Sequence, residues 1–335
     1  MGANGEARPR VLSGIQPDYG LHIGNYLGAL RNWVRDQDAY ENYFCIVDLH
    51  ALTVHPDPER LRSNVLELAA LYVASGLDPA RCEIFVQSHV PAHSELAWIL
   101  ECQIPMGWLE RMTQFKARSQ AQGRERIGTG VFAYPALMAA DILLYDADFV
   151  PVGEDQRQHI ELTRDVAQRL NVLRGDVVKV PQPLIREVGA RVMGLDSPEE
   201  KMSKSVAVER PAHAVLMLDP PDLIRRKVMR AQTDAEPAVR EPLGAGVANL
   251  IEMYAALSDV SFKAACAEFE GKPYSALKGA VADSIIAALQ PIQERYAEIR
   301  AGDTRLHELL AGSAQRVSVV ANATLGRVQS AVGLR

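Results

Sequence analysis

The chain has 335 residues, more than one ordinary hydrophobic core accommodates, so about two domains are expected. A hydrophobic fraction of 48% with 23% charged residues is that of a soluble globular protein and excludes a disordered chain or a fibrous repeat. The net charge of -6 argues against a surface coated in nucleic acid, although a cluster such as Arg225, Arg226, Lys227 and Arg230 could hold phosphates or form a solvated helix face.

MGANGEARPR has no apolar stretch behind its charges, and no later segment approaches the length that spans a bilayer, so neither secretion nor membrane insertion is expected. Glu6 stands where a myristoylation motif needs Ser or Thr. Cys45, Cys82, Cys102 and Cys266 are scattered, with no zinc or redox spacing, which fits a cytoplasmic protein without structural metal.

The first strand, at Val11-Leu12, runs into Ser13-Gly14-Ile15-Gln16-Pro17-Asp18-Tyr19-Gly20, and His22-Ile23-Gly24-Asn25 then opens a helix expected to continue through Trp33. A strand, a Gly-rich turn and a helix N-terminus favour a phosphate, because free N–H groups and the positive helix end meet there and Gly24 permits close approach. His22 and Asn25 could add donors; His22 read alone is equally a capping residue. Further strands are expected at Tyr43 to Val47, Glu83 to Gln87 and Phe149 to Val152, an alternation with helices that predicts a parallel α/β sheet. Asp57-Pro58 caps one of those helices, Leu61, Val65, Leu68 and Tyr72 form its buried stripe, and Gly76 closes it. His50 follows the second strand at the edge where such sheets bind ligands, and is also explicable as a core histidine.

In YPALMAADILL, with Pro135 expected near the first turn, Tyr134, Met138 and Asp141 share one helix face. A carboxylate on so apolar a helix is costly unless paired. Gly153-Glu154-Asp155 ends one strand and begins a helix, so its acidic pair is a cap or a ligand site. The segment from Glu187 to Ser205, rich in Gly, Ser and charge, suits a mobile linker and carries Lys201-Met202-Ser203-Lys204-Ser205, two ammonium groups on a loop. Beyond Val206, Asp222 to Gln232, Gly246 to Leu257, Tyr274 to Arg300 and Thr304 to Val332 read as helices.

HIGN and KMSKS, in this order and at this separation, resemble the paired signatures of the class I aminoacyl-tRNA synthetases. SGIQPDYGLHIGNYLGALRNW, FCIVDLHALT, ERMTQFK, MAADILLYDADFVPVGEDQRQHIELTRDVAQRLN and VGARVMGLDSPEEKMSKS narrow the resemblance to the tryptophanyl-tRNA synthetase family, over residues 11 to 234 and more loosely beyond. GIQP, HIGN and GEDQ set it apart from the tyrosyl enzymes, which share the fold. A small-molecule nucleotidyltransferase would have no use for so large a helical part, and a non-enzymatic paralogue would not need both lysines and His22.

The resemblance implies a Rossmann-like parallel-sheet catalytic domain at 1–206, a helical anticodon-binding domain at 207–300 and a C-terminal helix at 301–335 packing back on the catalytic domain. It implies His22, Asn25, Lys201 and Lys204 as catalytic residues, with ATP also held by Gln16, Pro17, Asp18, Gly24, Gly153, Glu154, Asp155, Val192, Met202, Ser203 and Ser205. Tryptophan would meet Asp141, its indole N–H acceptor, with Met138, Tyr134, His50, Gln114, Val150, Val152 and Gln156. ATP would come with Mg2+, tRNA(Trp) would be the acceptor, and the enzyme would be a homodimer. Two positions depart from many relatives: Arg118 stands for a lysine shortly after MTQFK, and Val206 for an acidic residue after KMSKS.

Overall fold

Strand alternation divides the core into two layers. Phe44, Ile46, Ile84 and Val86 point to one face of the sheet, and Tyr43, Cys45 and Phe85 to the other. Burial on both faces explains why these strands read as nearly continuous apolar runs. The structure, a computed structural model, describes residues 7–151, 153, 157–184, 192–236 and 238–335. Its parallel strands are β1 Arg10–Ile15, β2 Glu41–Ile46, β3 Cys82–Val86, β4 Phe149–Pro151 and β5 Gln182–Leu184, in the order β3-β2-β1-β4-β5. Periodicity gives no sign of β5, which has three residues with Pro183 at its centre; an edge strand tolerates the missing donor.

On the first face, α1 Ile23–Asn25 continues through a π-helical turn, Tyr26–Leu30, into α2 Arg31–Asp36, so the helix expected to reach Trp33 runs three residues further. After β2 come α3 Asp48–Ala51 and α4 Pro58–Ala74; the Asp57 carboxylate accepts from the Glu59 and Arg60 amides, and Gly76 turns the chain at φ 109°. The second face carries α5 Ala92–Glu101, α6 Met106–Glu110, α7 Thr113–Gln122, α8 Thr129–Leu143 and α9 Arg157–Arg174. Because α8 begins at Thr129, Pro135 lies inside it and not in its first turn as expected. Its ring removes the amide donor that would otherwise reach the Val131 carbonyl.

The rest is helical: α10 Lys204–Glu209, α11 Pro221–Met229, α12 Ala245–Ser258, α13 Phe262–Phe269, α14 Tyr274–Arg300 and α15 Asp303–Val332. The core does not divide at residue 206. One apolar cluster runs from Ile23 and Trp33 through Met202 to Leu250, Leu277 and Ile285. Helix α15 lies along β3, where Arg316 donates twice to the Glu83 carboxylate at 2.8 Å and Ser313 Oγ donates to it at 2.6 Å. With Ala314, Val317 and Ala321 in the core of the second face, that contact fixes α15 on this face beside the edge strand.

The basic cluster at 225–230 is not a phosphate site of four charges. Lys227 is buried, its Nζ donating to Asp219 at 2.6 Å and to the Ala214 carbonyl at 2.8 Å, and Arg225 pairs with Asp283. Among the described residues no helix is long and apolar enough to cross a membrane.

Candidate active site

Strand order reverses between β1 and β4, and at such a switch point the two chain exits diverge and leave a crevice beyond the carboxyl ends of the strands. His22 stands there at the N-cap of α1, with its backbone N–H donating to Asn25 Oδ1 at 3.1 Å. The Asn25 side chain is thus committed as a cap through its oxygen. The His22 ring is 6% exposed and its Nδ1 has no partner among the described residues. Burial first, then the charges of Lys204 and Lys201, lower its pKa to about 3, so the ring is neutral at physiological pH. Gly24 leaves room for that ring: a Cβ there would stand 3.0 Å from His22 Cε1 and Nδ1 and 3.3 Å from Val192 Cβ.

The unfolded chain takes up the His22 proton near pH 6.5, whereas the folded chain resists it until about pH 3. The neutral, buried ring therefore contributes stability above pH 6.5 that is lost as pH falls from 6.5 toward 3, with a slope of about 1.4 kcal/mol per pH unit. His22→Asn is expected to lose most of that slope in urea unfolding between pH 6.5 and 5. An identical pH dependence in both proteins would show that the ring titrates normally.

The KMSKS segment meets the first loop directly. Lys204 Nζ donates to Asp18 Oδ1 at 2.6 Å and to the Gln16 carbonyl at 3.0 Å. Pro17 beside them is buried. Lys204 and Ser205 are not on a loop as expected: they form the first turn of α10, with Ser203 at its N-cap and Ser203 Oγ 3.0 Å from Ser205 Oγ. Lys201 is exposed, while Met202 and Val192 are buried in the core. The described part of the expected linker is a closed loop, because Met202 N donates to Val192 O, Gly194 N donates to Glu200 O, and Met193 bridges Lys201.

His213, which no sequence signal marks, supports this loop from beneath. Fully buried, it places Nδ1 2.6 Å from Asp196 Oδ1 and Nε2 3.3 Å from the Lys201 carbonyl oxygen. A Cβ on Gly194 would come within 2.1 Å of its ring. Gly194→Ala should displace the ring and destabilise the protein by about 1–3 kcal/mol in thermal or denaturant unfolding. Stability equal to that of the parent would mean that the ring can move aside at no cost.

On the other side of the crevice, Asp141 projects from α8 with its carboxylate almost wholly buried. His50 Nε2 lies 2.8 Å from Oδ2, while Gln87 Nε2 at 2.7 Å and His93 Nδ1 at 2.6 Å meet Oδ1. Burial alone would raise the Asp141 pKa; the hydrogen bonds from His50 and His93 outweigh it and hold the carboxyl at about 2. The Tyr134 ring packs edge-on to His50, and its hydroxyl lies 2.6 Å from His159 Nε2. Burial pushes that hydroxyl up to about 12, opposed by the Arg118 charge.

The expected tryptophan residues are thus brought together only in part. His50, Tyr134 and Asp141 form one cluster; Val150 is buried at the end of β4 and Met138 half-buried on α8. Gln114 is exposed on the first turn of α7. Gly153 is exposed, and Val152, Glu154, Asp155 and Gln156 lie outside the described residues. Gln87, His93 and Tyr145 belong to the cluster and were not expected. A histidine and a glutamine just past a strand's carboxyl end, in VQSHVPAH, are the available signal. A cavity of about 210 Å³ opens beside His50 and Tyr134, lined also by Leu52, Gly130 and Leu137.

The family of class I tRNA synthetases for W and Y matches residues 4–290. The tryptophan–tRNA ligase of Wolinella succinogenes is 50% identical over 328 residues, covering 98% of this chain and 99% of its own. The crystal structure of tryptophanyl-tRNA synthetase from Mycoplasma pneumoniae superposes with a TM-score of 0.89 at 33% identity, covering 98% of each chain. That of the Campylobacter jejuni enzyme, complexed with ADP and tryptophan, does so with a TM-score of 0.82 at 31% identity, covering 97% of this chain and all of that one. A parallel sheet carrying HIGN at its switch point, joined through Lys204 to KMSKS and matched over nearly the full length, leaves one assignment: the chain belongs to the class I tRNA synthetases, within them to the tryptophan–tRNA ligases.

Proposed function

We propose that the chain activates tryptophan with ATP and transfers it to the terminal ribose of tRNA(Trp) by the following division of labour. A carboxylate oxygen of tryptophan attacks the α-phosphorus of ATP in line, the bond from that phosphorus to the bridging oxygen breaks, and pyrophosphate leaves with the electron pair. The nucleophile is already ionised and the leaving group departs as an anion, so the protein need not move a proton. The demand is for positioning and positive charge, not for a nucleophile–base pair. In the second step a ribose hydroxyl attacks the acyl carbon, the bond from that carbon to the phosphate oxygen breaks, AMP leaves with the electron pair, and the hydroxyl proton passes to a phosphate oxygen or to water.

The observation that carries this reading is the joint between the two signatures. Lys204, tied to Asp18 and Gln16, lies in the same crevice as His22 and the α1 N-terminus. In this reading the phosphates take over Lys204 from Asp18, Lys201 adds a second charge, and neutral His22 offers a nitrogen without repelling either lysine. Gln16, Pro17, Asp18, Gly24, Asn25, Gly153, Glu154, Asp155, Val192, Met202, Ser203 and Ser205 complete the nucleotide site. Mg2+ would arrive with ATP as part of the substrate. Asp141 takes the indole N–H, with His50, Gln114, Tyr134, Met138, Val150, Val152 and Gln156 around the ring.

The helices of 207–300 are the part assigned to the anticodon, in a cytoplasmic enzyme. Trp98 and Met106, more than half exposed on α5 and α6, support a homodimer by offering a second copy an apolar face to cover. Amino-acid-dependent exchange between ATP and labelled pyrophosphate, run without tRNA, tests the activation step. Exchange with tryptophan alone is expected; exchange with tyrosine would overturn the pocket assignment, and none with any amino acid would overturn activation.

A further inference from the structure

A carboxylate accepts about four hydrogen bonds, two at each oxygen. The donors around Asp141 can be counted. Gln87 cannot be turned over, because its Oε1 accepts from the Leu49 amide at 3.1 Å, so its Nε2 must donate to Asp141 Oδ1. His93 Nδ1 faces the same oxygen and can only donate to it. Oδ1 is thereby filled. Oδ2 receives His50 Nε2 and keeps one acceptor direction beside His50, at the edge of the tryptophan cluster.

The tautomer of His93 decides whether this arrangement holds. Its Nε2 is 2.8 Å from the Tyr145 hydroxyl. A hydroxyl donating there obliges the ring to carry its own proton on Nδ1, toward Asp141. Tyr145 is fully buried, its ring stacked on Tyr43 at 4.9 Å and tilted against Phe85 at 5.4 Å. Burial drives its pKa far up, so the hydroxyl keeps its proton. The chain Tyr145 to His93 to Asp141 is thus a directional relay built entirely from side chains that water does not reach.

The geometry points to His93, held in one tautomer by Tyr145, as the positioning residue that leaves a single acceptor direction on Asp141 for the substrate and so sets selectivity for a ring bearing an N–H. This rests on the reading of Asp141 as the indole acceptor. Losing one charge-assisted hydrogen bond lets the carboxylate rotate and offers the wrong oxygen at the pocket.

The test is steady-state pyrophosphate exchange with tryptophan and with phenylalanine on full-length variants. His93→Leu is expected to raise the tryptophan KM about tenfold, and to lower the preference over phenylalanine by a similar factor, with a much smaller effect on kcat. His93→Asn, whose amide N–H replaces Nδ1–H, should restore most of both. Tyr145→Phe keeps the stacking while releasing the tautomer, and should raise the KM at least about threefold; it decides the matter alone if His93→Leu does not fold. Parental KM and selectivity in both His93→Leu and Tyr145→Phe would overturn the inference. A fall in kcat equal to the rise in KM, without rescue by Asn, would reduce His93 to a folding role and also overturn it. Asp141→Asn in the same assays separates the two levels. If it abolishes selectivity while the His93 and Tyr145 variants do not, only the positioning claim fails; if it preserves selectivity, the acceptor reading fails and the inference with it.

Discussion

Asp141→Ala is expected to abolish the preference for tryptophan over phenylalanine, a change on the order of 10⁴ in the ratio of kcat/KM values. Burying the indole ring stabilises the complex by roughly 4–6 kcal/mol at about 25 cal/mol per Å², and phenylalanine collects much of that same gain. Apolar burial therefore cannot discriminate between them. A buried acceptor can, because the wrong ring leaves it without a donor in a place that water does not reach. The alanine variant also leaves His50, Gln87 and His93 facing one another without their shared acceptor, so a loss of stability should accompany the loss of selectivity. Asp141→Asn keeps the volume and is the cleaner probe: one carbonyl cannot serve both the Oδ1 donors and the substrate. Intact selectivity in both variants would move the acceptor elsewhere. With the carboxyl held at about 2 against an ordinary 3.8, its charge is complete above pH 4 and is lost only as pH falls toward 2. The selectivity ratio should accordingly be flat from pH 9 down to 5.

For Lys204→Ala the expected result is a fall of roughly 10²–10³ in the rate of adenylate formation, with tryptophan binding retained. The ammonium group sits between the Gln16 carbonyl and Asp18, part-buried, where the positive charge is only lightly screened. Charge builds on the departing pyrophosphate as the bond breaks, so a cation held there acts on the transition state more than on either bound substrate. Lys204→Arg should restore little, since a planar guanidinium cannot take the Gln16 carbonyl and a phosphate in the geometry of a compact ammonium. Single-turnover adenylate formation with an equilibrium measurement of tryptophan binding separates the two effects. An unchanged rate would remove Lys204 from the chemistry, and lost tryptophan binding would make it a structural tie.

Much of this site was legible in the primary sequence because it is built from local motifs. HIGN reads as a helix N-terminus after a strand, and α1 begins there; KMSKS reads as a pair of cations, and one of them reaches the first loop. Asp57-Pro58 and Tyr274–Arg300 fall where caps and periodicity put them. What failed was also local in cause. Strand β5 is too short to show a period, Pro135 was placed too near the helix start because nothing before it marks Thr129 as the first residue, and Lys227 looked like surface charge because its partner Asp219 lies eight residues away.

Sequence by itself determined strands β1 to β4 and the long helices that end the chain, the Gly-rich turn before α1, the two signature cations and the helix face that carries Asp141, since each is set by neighbours within a few residues and by side-chain chemistry that context does not change. Only the tertiary structure decided what those groups are bonded to. It turned Asn25 into a cap, made His22 neutral, put His213 beneath the KMSKS loop, and closed Gln87, His93 and Tyr145 around Asp141. Protonation and tautomer depend on burial and on partners tens of residues away, and those exist only once parallel strands, which no tight turn can join, have been brought side by side.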